Sequence, residues 1–458
     1  MTTPAPEIFK AYDIRGIVGK TLTAETVALI GQAIGSEALA RGQRTIVVGR
    51  DGRLSGTDFA TALEEGITST GIDVIDIGCV ATPVVYFAAH HLQTANCVAI
   101  TGSHNPPDYN GLKMVLAGET LHGEQIQALR RRILDADFVH GAGRISRTDV
   151  RSAYIERIAG DVKLARPLRI ALDSGNGAAG NTAPELFRRL GCELVELFSE
   201  VDGRFPNHHP DPSRPENLED LIAALKASNA ELGLAFDGDG DRLGVVTKDG
   251  EIIYPDRQLM LFAADVLTRV PSGKIVFDAK CTRHLAPWIR EHGGEPVMGC
   301  TGHALVKAKM RESSAVLGGE LSGHIFFAER WYGFDDGIYA GARLLEILSR
   351  SVDANAPLKA LPNALSTPEL NIPMNEGEAF ELVARLKAGA LFADEVERVE
   401  TDGLRVEFSD GFGLARASNT TPVLVLRFEA DDPAALARIQ SAFADALRTH
   451  CPAIALPF

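Results

Sequence analysis

Short apolar runs and amphipathic stretches alternate along most of the chain, and the alternation repeats in three rounds. The apolar runs are residues 45–48, 73–77 and 97–100 in the first round, 168–172, 193–198 and 231–236 in the second, and 274–277, 295–298 and 315–317 in the third. Amphipathic stretches such as 60–70, 183–190 and 284–291 separate them. Buried parallel strands with helical crossovers give this pattern. It predicts three related α/β domains with mixed, mainly parallel sheets.

The pattern changes after Pro362. Segments 396–400, 404–408, 414–417 and 423–428 alternate in polarity, and Asp402-Gly403 and Asp410-Gly411 supply strong turn signals between them. Helical patterns flank this region at 376–387 and 433–448. We therefore expect a smaller C-terminal α+β domain with a largely antiparallel sheet. The predicted domains are 1–149, 150–251, 252–364 and 365–458.

Composition and charge narrow the class of partner. The 458 residues are 45% hydrophobic and 23% charged, which suits folded domains, and the net charge of −15 argues against nucleic acid or an anionic membrane as the main partner. A local cluster of basic side chains can still bind a phosphate. The six cysteines are scattered, and neither a signal peptide nor a membrane span is indicated. We expect a cytoplasmic protein.

Reactive side chains follow the third apolar run of each round. These are Ser103 with His104 in the first, Asp237 to Asp241 in the second, and Glu320, Ser322 and His324 in the third. Ligands of open α/β sheets gather at the carboxyl ends of the strands. We therefore expect one composite site built from all three strand ends.

The second of these motifs, Asp237-Gly238-Asp239-Gly240-Asp241-Arg242, has the character of a metal loop. Carboxylates this crowded repel one another, and oxygen ligands favour Mg²⁺, Ca²⁺ or Mn²⁺ over zinc. An EF-hand is excluded because Arg242 and Lys248 stand where that loop requires glycine and glutamate. A solvated acidic turn is the alternative, but it explains neither the apolar run before the motif nor its strict alternation.

The first motif, residues 101–111, is shaped by glycine and proline around Ser103. An acyl-transfer serine with His104 as its base is one interpretation, although adjacent residues rarely align in that way and no nucleophile elbow is present. A phosphorylated serine fits better beside a metal triad, because its phosphate oxygens can complete the cation's shell. Lys113 could neutralise that phosphoryl group or move its proton, or it could be an ordinary surface lysine.

Two further loops offer groups for a phosphosugar. Arg416 to Pro422 combines a guanidinium with hydroxyl and amide donors, which suits a phosphate, although a polar turn has the same composition. Gly319 to His324 offers a carboxylate, a hydroxyl and an imidazole that could hold sugar hydroxyls and transfer protons. Arg15, Lys280 and His303 are additional cationic candidates.

Together these motifs resemble the α-D-phosphohexomutase family, and within it the bacterial phosphomannomutase/phosphoglucomutase branch. The resemblance covers the whole chain in order, starting at Lys10-Ala11-Tyr12-Asp13-Ile14-Arg15-Gly16. It implies four domains around a central cleft, a phosphoserine at Ser103, and Mg²⁺ bound by Asp237, Asp239, Asp241 and the seryl phosphate. The other residues that it implicates are His104, Lys113, Arg242 and His324 in catalysis, Glu320 and Ser322 at the sugar, Arg416, Ser418, Asn419 and Thr420 at the distal phosphate, and Tyr12, Arg15, Lys280, His303 and His324 in substrate binding.

The reaction implied by the resemblance moves a phosphoryl group between O6 and O1 of mannose or glucose. It passes through a hexose 1,6-bisphosphate that is both intermediate and activator, with Lys113 and His324 as proton carriers. The resemblance also implies phosphosugar substrates, and we expect a monomer. Phosphoglucosamine mutase is the alternative within the family, although Leu321 stands where that branch usually has glutamine.

Two alternatives lie outside the family. Asp237-Gly238-Asp239 also resembles the nucleophile loop of haloacid-dehalogenase-like sugar phosphatases, in which Asp237 would be phosphorylated and Ser103 incidental. A catalytically silent sugar-phosphate-binding protein is the second.

Overall fold

A computed structural model describes residues 3–458. The chain divides into two compact units, which are described separately. The first unit comprises Met1–Gln258 and Ser322–Ala360, and the second comprises Leu259–Leu321 and Leu361–Phe458. Among the described residues, no helix combines the length and the apolarity needed to cross a bilayer.

The first α/β domain belongs to the first unit and has a mixed sheet. Its elements are β1 (Ile14–Ile17), α1 (Ala24–Ala40), β2 (Thr45–Arg50), α2 (Gly56–Thr68), β3 (Asp73–Cys79), α3 (Thr82–His91), β4 (Cys97–Ile100), β5 (Tyr109–Leu116), β6 (Glu119–Thr120), α4 (Glu124–Leu134) and β7 (Ile145–Arg147). The strand order is β1-β5-β4-β2-β3-β7, with β6 beside β5. β2 pairs in parallel with β3 and β4, while β5 runs antiparallel to β1 and β4.

The second α/β domain completes the first unit. It contains α5 (Arg151–Asp161), β8 (Arg169–Asp173), α6 (Ala183–Arg189), β9 (Glu193–Leu197), α7 (Glu219–Ala227), β10 (Leu232–Phe236), β11 (Leu243–Thr247) and β12 (Ile252–Ile253) in the order β12-β11-β10-β8-β9. β10 and β9 are parallel to β8, whereas β11 returns antiparallel to β10 as a hairpin.

The third repeat carries its parallel strands in the second unit. Its elements are α8 (Pro255–Leu267), β13 (Lys274–Asp278), α9 (Leu285–Glu291), β14 (Glu295–Gly299), α10 (His303–Ser313) and β15 (Leu317–Gly319), with β14 and β15 parallel to β13. The chain then returns to the first unit as β16 (Ile325–Phe327), α11 (Gly337–Leu348) and α12 (Ala356–Lys359). There α11 packs near β10 and β11.

The C-terminal domain lies in the second unit and is antiparallel throughout its sheet. It contains β17 (Leu365–Ser366), β18 (Leu370–Pro373), α13 (Glu378–Gly389), β19 (Glu397–Val399), β20 (Leu404–Phe408), β21 (Gly411–Ala417), β22 (Val423–Ala430) and α14 (Pro433–His450). The strand order is β17-β22-β21-β20-β19, with β18 beside β22. Leu382, Phe428 and Phe443 belong to the buried core between sheet and helices.

The predicted fold class is therefore confirmed: three related α/β domains and a C-terminal α+β domain. In each repeat the first strand lies between the second and the third, as β3-β2-β4, β9-β8-β10 and β14-β13-β15. The antiparallel strands of the first two sheets were not predicted, among them β5 and β11, which return from the serine and metal loops. Lys113 lies within β5.

Strand and helix ends deviate by a few residues from the sequence pattern. The third strand of the last repeat was expected at 315–317 but is Leu317–Gly319, because two glycines hide its apolar pattern. A side chain at Gly318 would come within 2.5 Å of the Met310 sulfur, so Met310 of α10 would have to move to make room for it. Helix α2 begins at Gly56, ahead of the expected residue 60, and ends at Thr68.

Candidate active site

The metal loop of the first unit lies in the turn between β10 and β11. Asp237, Asp239 and Asp241 are fully buried, and one oxygen from each lies within 4.8 Å of the others. Gly240 has φ +76°, a conformation that glycine adopts without strain, and it lets the loop turn between the second and third carboxylates. The hairpin thus presents three acidic side chains to one point.

Lys113 approaches this triad from β5. Its Nζ lies 2.8 Å from Asp239 Oδ2 and also contacts Asp241 Oδ2. Burial alone would lower the pKa of Lys113, but Asp239 and Asp241 outweigh burial and raise it. Burial would likewise raise the pKa of Asp239, yet Lys113 lowers it below its usual range. This lysine is therefore a buried cation held by the metal loop.

The donor set fits a hard divalent cation. Within the described part of the chain, Asp239 Oδ1 and Asp241 Oδ1 are buried and accept no hydrogen bond. Burial, with repulsion from Asp239, raises the pKa of Asp237 well above its usual range. A bound cation would contact the unpaired carboxylate oxygens and offset the repulsion that raises the pKa of Asp237. Mg²⁺ prefers ligands that are all oxygen atoms. Asp237, Asp239 and Asp241 would hold the ion.

Ser103 lies directly beside this triad. It is 1% exposed and follows β4 with φ +51°, a left-handed conformation that is uncommon outside glycine. Its Oγ donates to Asp237 Oδ2 over 3.1 Å and lies 3.2 Å from His104 Nδ1. A side chain at Gly238 would come within 2.5 Å of the Ser103 carbonyl oxygen, so the two loops meet at close range.

A set of basic side chains surrounds the serine and the triad. Arg242 Nε donates to His324 Nε2 over 3.1 Å and lies 3.9 Å from Asp237 Oδ2. The other ring nitrogen of His324 lies 3.5 Å from Asp241 Oδ1 and 3.3 Å from Asp335 Oδ2. Burial, followed by the charge of Arg242, lowers the pKa of His104 well below its usual value. The first unit thus gathers the five side chains that the sequence assigned to catalysis.

Arg15 reaches the serine loop from β1. Its guanidinium donates to Asn105 Oδ1 and to Asp13 Oδ2, each over 2.5 Å. Tyr12 precedes this strand and is half-buried. Ser322 belongs to the first unit as well and is half-buried just before His324.

The second unit holds the phosphate-loop residues. Arg416 is the last residue but one of β21, and its Nε donates to Asp402 Oδ2 over 2.9 Å. The same carboxylate oxygen accepts the amide of Thr301 over 2.9 Å, and Asn419 Nδ2 donates to the Thr301 carbonyl over 3.3 Å. Ser418 Oγ lies 3.4 Å from Thr420 Oγ1. These short polar side chains are half-buried, which leaves them accessible to a ligand.

Lys280, His303 and Glu320 lie in the same unit and are all buried. Lys280 Nζ lies 2.5 Å from Glu369 Oε1, and Glu320 Oε1 accepts the Gly302 amide over 2.5 Å. His303 begins α10 directly after that glycine. Arg416 and Lys280 therefore each have a carboxylate close by, and His303 follows Gly302.

Four acidic residues and one arginine near these groups were missed. Asp51 directly follows β2 and Asp278 is the last residue of β13, so the reasoning applied to the third strands would have found them. Asp335 and Glu369 do not follow any of the apolar runs, and Glu369 lies 89 residues from its partner Lys280. Arg53 is the missed arginine, and it contacts the serine loop from the end of β2.

Comparison with known proteins decides the family. The chain matches the phosphoglucomutase/phosphomannomutase profiles for alpha/beta/alpha domain I at residues 6–140, domain II at 152–250, domain III at 254–365, and the C-terminal domain at 369–446. The chain belongs to the phosphoglucomutase/phosphomannomutase family. The resemblance drawn from the motifs is thereby confirmed.

Individual members of this family are similar over their whole length. The chain is 58% identical to the phosphoglucomutase of Neisseria gonorrhoeae over 446 residues, which cover 97% of each chain. It is 55% identical to the phosphomannomutase/phosphoglucomutase of Pseudomonas aeruginosa, covering 100% of this chain and 98% of that one. A crystal structure of a family protein from Burkholderia thailandensis superposes with a TM-score of 0.95 at 58% identity, covering 99% of this chain and 100% of that one.

Proposed function

We propose that the protein interconverts hexose 6-phosphates and hexose 1-phosphates of mannose and glucose through a phosphoserine at Ser103. The observation that carries the proposal is the 3.1 Å contact between Ser103 Oγ and Asp237 Oδ2 in a triad suited to Mg²⁺. The names of the relatives, phosphoglucomutase and phosphomannomutase/phosphoglucomutase, support this reaction. The cytoplasmic location and the monomeric state remain predictions from the sequence.

The proposed chemistry begins with phosphorylated Ser103. Its Oγ–P bond breaks as a bond forms between phosphorus and the free sugar hydroxyl. The hydroxyl proton passes to His324, and the protonated Lys113 supplies the proton that the departing serine oxygen takes up. This step gives a hexose 1,6-bisphosphate, which turns end for end and returns its other phosphoryl group to Ser103. Free bisphosphate therefore serves as activator by phosphorylating the serine.

The chain's own residues supply most of the charge that the transfer requires. Lys113 and Arg242 lie at the triad as cations, and preorganised charge of this kind is usually the largest catalytic contribution. His104 approaches the serine oxygen and helps to orient it. Mg²⁺, when bound, would stabilise the negative charge on the transferring phosphoryl group.

Substrate recognition must accept either end of the sugar. We assign the phosphate that is not reacting to Arg416, Ser418, Asn419 and Thr420, and the sugar hydroxyls to Glu320 and Ser322. A guanidinium with several short donors suits a phosphate dianion. Tyr12, Arg15, Lys280 and His303 are assigned to the remaining substrate contacts.

A coupled assay tests the proposal directly. The purified protein is given mannose 1-phosphate, glucose 1-phosphate or glucosamine 1-phosphate with Mg²⁺ and a trace of hexose 1,6-bisphosphate. We expect turnover of the first two and its loss in Ser103→Ala. Ser36→Ala is the matched control, because Ser36 is also buried but accepts only the Val139 amide from its place on α1.

The chemical nature of the phosphoenzyme separates this reaction from that of an aspartyl phosphatase. A seryl phosphate resists hydroxylamine, whereas an acyl phosphate on Asp237 is cleaved by it. Intact-mass measurement after incubation with the bisphosphate should show one hydroxylamine-stable phosphoryl group in the wild type and none in Ser103→Ala. Undiminished interconversion by Ser103→Ala would overturn the proposal.

A further inference from the structure

One buried side chain outside the serine loop holds that loop in place. Arg53 follows β2, and its side chain is 0% exposed. Its Nη2 donates to the carbonyl oxygens of Ser103 over 2.8 Å and Asn105 over 2.6 Å. Its Nη1 donates to those of Pro106 over 2.5 Å and Tyr109 over 2.8 Å. One guanidinium therefore fixes four carbonyl groups along the loop.

The fifth N–H of Arg53 pairs with Asp51, which holds the loop from its other side. Arg53 Nε donates to Asp51 Oδ2 over 3.2 Å. The same oxygen accepts the Thr101 hydroxyl over 2.8 Å and the Gly102 amide over 3.2 Å. Thr101 Oγ1 in turn accepts the Ser103 amide over 2.7 Å. Both peptide groups that flank Ser103 are thus tied to the Asp51–Arg53 pair.

This arrangement matters because Ser103 has an unfavourable backbone conformation. A serine at φ +51° persists only when its surroundings fix it. A side chain at Gly102 would collide with the Arg53 guanidinium, so the loop lies directly against it. The Phe205 ring lies 5.2 Å from Arg53 Cζ, so an aromatic ring also packs against the guanidinium. The arginine is enclosed by the loop, by its carboxylate partner and by this ring.

We propose that Arg53 is a positioning residue that sets the Ser103 hydroxyl against the metal loop. All five of its N–H donors are used inside the protein, so none remains for substrate. Its effect reaches the reaction through the Ser103 carbonyl, which it binds and which faces Gly238 of the metal loop. This inference rests on the proposed function, because it assumes that Ser103 carries the phosphoryl group.

The central test replaces Arg53 by methionine, which keeps the aliphatic volume and removes every donor. A displacement of about 1 Å at a reacting atom can cost about 100-fold in rate. We expect kcat to fall about 100-fold in Arg53→Met while KM for glucose 1-phosphate changes less than threefold. Occupancy of Ser103 by phosphate after incubation with glucose 1,6-bisphosphate should fall as well.

Arg343→Met is the matched control. Arg343 is also 0% exposed and pairs with Glu329 and Glu346, but its partners lie in another part of the first unit. If Arg343→Met lowers the melting temperature and leaves kcat and phosphoserine occupancy near wild type, general loss of stability does not explain the Arg53 effect. Equal losses of kcat in both variants would overturn the proposal.

Arg53→Lys keeps the charge but has at most three donors for five acceptors. We expect kcat of Arg53→Lys to fall about 10-fold, which lies between the values for the wild type and Arg53→Met. If Arg53→Met does not fold, Arg53→Lys tests the positioning role instead. Wild-type kcat in Arg53→Lys would overturn the proposal in that case.

Amide hydrogen exchange separates this inference from the proposed function. Peptides spanning residues 101–109 should exchange faster in Arg53→Met than in the wild type or in Arg343→Met. This readout requires no turnover, so inactive wild-type protein would refute the mutase reaction and leave the loop test intact. Unchanged exchange in this segment would refute the role of Arg53 even in an active enzyme.

Discussion

The metal loop of the first unit and the phosphate loop of the second are built in opposite ways. Asp237, Asp239 and Asp241 are fully buried, and a buried lysine lies among them. Ser418 and Thr420 are half-buried, short and uncharged. Charges act most strongly where water is excluded, while short hydroxyl groups adapt to a ligand at little entropic cost. One loop is suited to fixed chemistry and the other to recognition of a ligand in two orientations.

The largest expected effect is the loss of the cation from the metal loop. Lys113→Met should lower the free energy of unfolding of the metal-free protein by about 3–5 kcal/mol, because buried carboxylates would lose their partner. Added Mg²⁺ should raise the melting temperature more in this variant than in the wild type, since it would replace the missing charge. Turnover should fall at least 1000-fold.

Melting curves in EDTA and in Mg²⁺ check this prediction. Lys248→Met is the control, because Lys248 Nζ donates to the neutral carbonyls of Leu225 and Ser228 over 2.5 and 2.7 Å. Equal destabilisation of the two variants in EDTA would show that the metal loop does not depend on its lysine.

The metal and serine loops were largely predictable because strand ends are local features. The apolar runs ending at Ile100 and Phe236 identified both loops. The two strands belong to different sheets, yet Ser103 Oγ lies 3.1 Å from Asp237 Oδ2, as expected for one composite site. Arg53 was not predictable, since its role depends on carbonyl groups that lie 50 or more residues away. No single-sequence pattern encodes a main-chain contact of that range.

The second unit was less predictable for the same physical reason. The turn signal at Asp402-Gly403 was clear, but nothing local indicates that Asp402 binds Arg416, which lies on the neighbouring strand. Lys280 and Glu369 are 89 residues apart. The antiparallel strand β5 was missed because Asn110, Gly111 and Lys113 interrupt its apolar positions.

Removal of the guanidinium from the phosphate loop should have the next largest effect. Arg416→Ala should raise KM for glucose 1-phosphate about 100-fold, because charge-assisted hydrogen bonds are worth about 1.5–3 kcal/mol each. We expect kcat to change less than 10-fold, since under the proposed assignment the group binds a phosphate remote from the reaction.

Steady-state kinetics on Arg416→Ala and Arg398→Ala test this division. Arg398 lies in the same domain and pairs with Glu395 over 2.8 Å, so its loss should change neither constant. A fall in kcat at constant KM for Arg416→Ala would show that this arginine acts in the chemical step. The phosphate loop would then not differ from the metal loop in serving recognition alone.

A buried carboxylate outside both loops tests whether cations, and not burial itself, make the metal loop stable. Glu64 lies in α2 and is 5% exposed, and its Oε1 accepts no hydrogen bond from the described residues. Burial, with repulsion from Asp76, raises the pKa of Glu64 to about 7. The folded state therefore retains a proton that the unfolded chain releases near pH 4.3.

The sign of the pH effect follows from that shift. The contribution of Glu64 to stability is full below about pH 4.3, declines as the pH rises, and is lost above about pH 7. Glu64→Gln has no such loss and should gain about 2 kcal/mol relative to the wild type between pH 4 and pH 8. Melting temperatures across this pH range measure this gain in stability, with Glu65→Gln as the control because Glu65 is exposed. A difference in melting temperature between Glu64→Gln and the wild type that does not change with pH would contradict the prediction.

The smallest effect is expected at the ion pair between Lys280 and Glu369 in the second unit. Lys280 Nζ lies 2.5 Å from Glu369 Oε1, whose side chain is 35% exposed. A substrate phosphate or hydroxyl that binds Lys280 must compete with that carboxylate. Glu369→Gln keeps the shape and removes the charge, so KM for glucose 1-phosphate should fall about 2- to 5-fold, in line with about 0.5–1 kcal/mol for a partly exposed pair.

The control is Glu378→Gln, because Glu378 lies in the same domain and its Oε2 accepts hydrogen bonds from Asn375, over 3.0 Å each, at the start of α13. A several-fold rise in KM for Glu369→Gln would mean that Glu369 contacts the sugar itself. The expected fall in KM would complete the comparison between the two units. Neutralising a carboxylate in the metal loop removes a ligand for the cation, whereas neutralising one beside Lys280 releases a cation for the substrate.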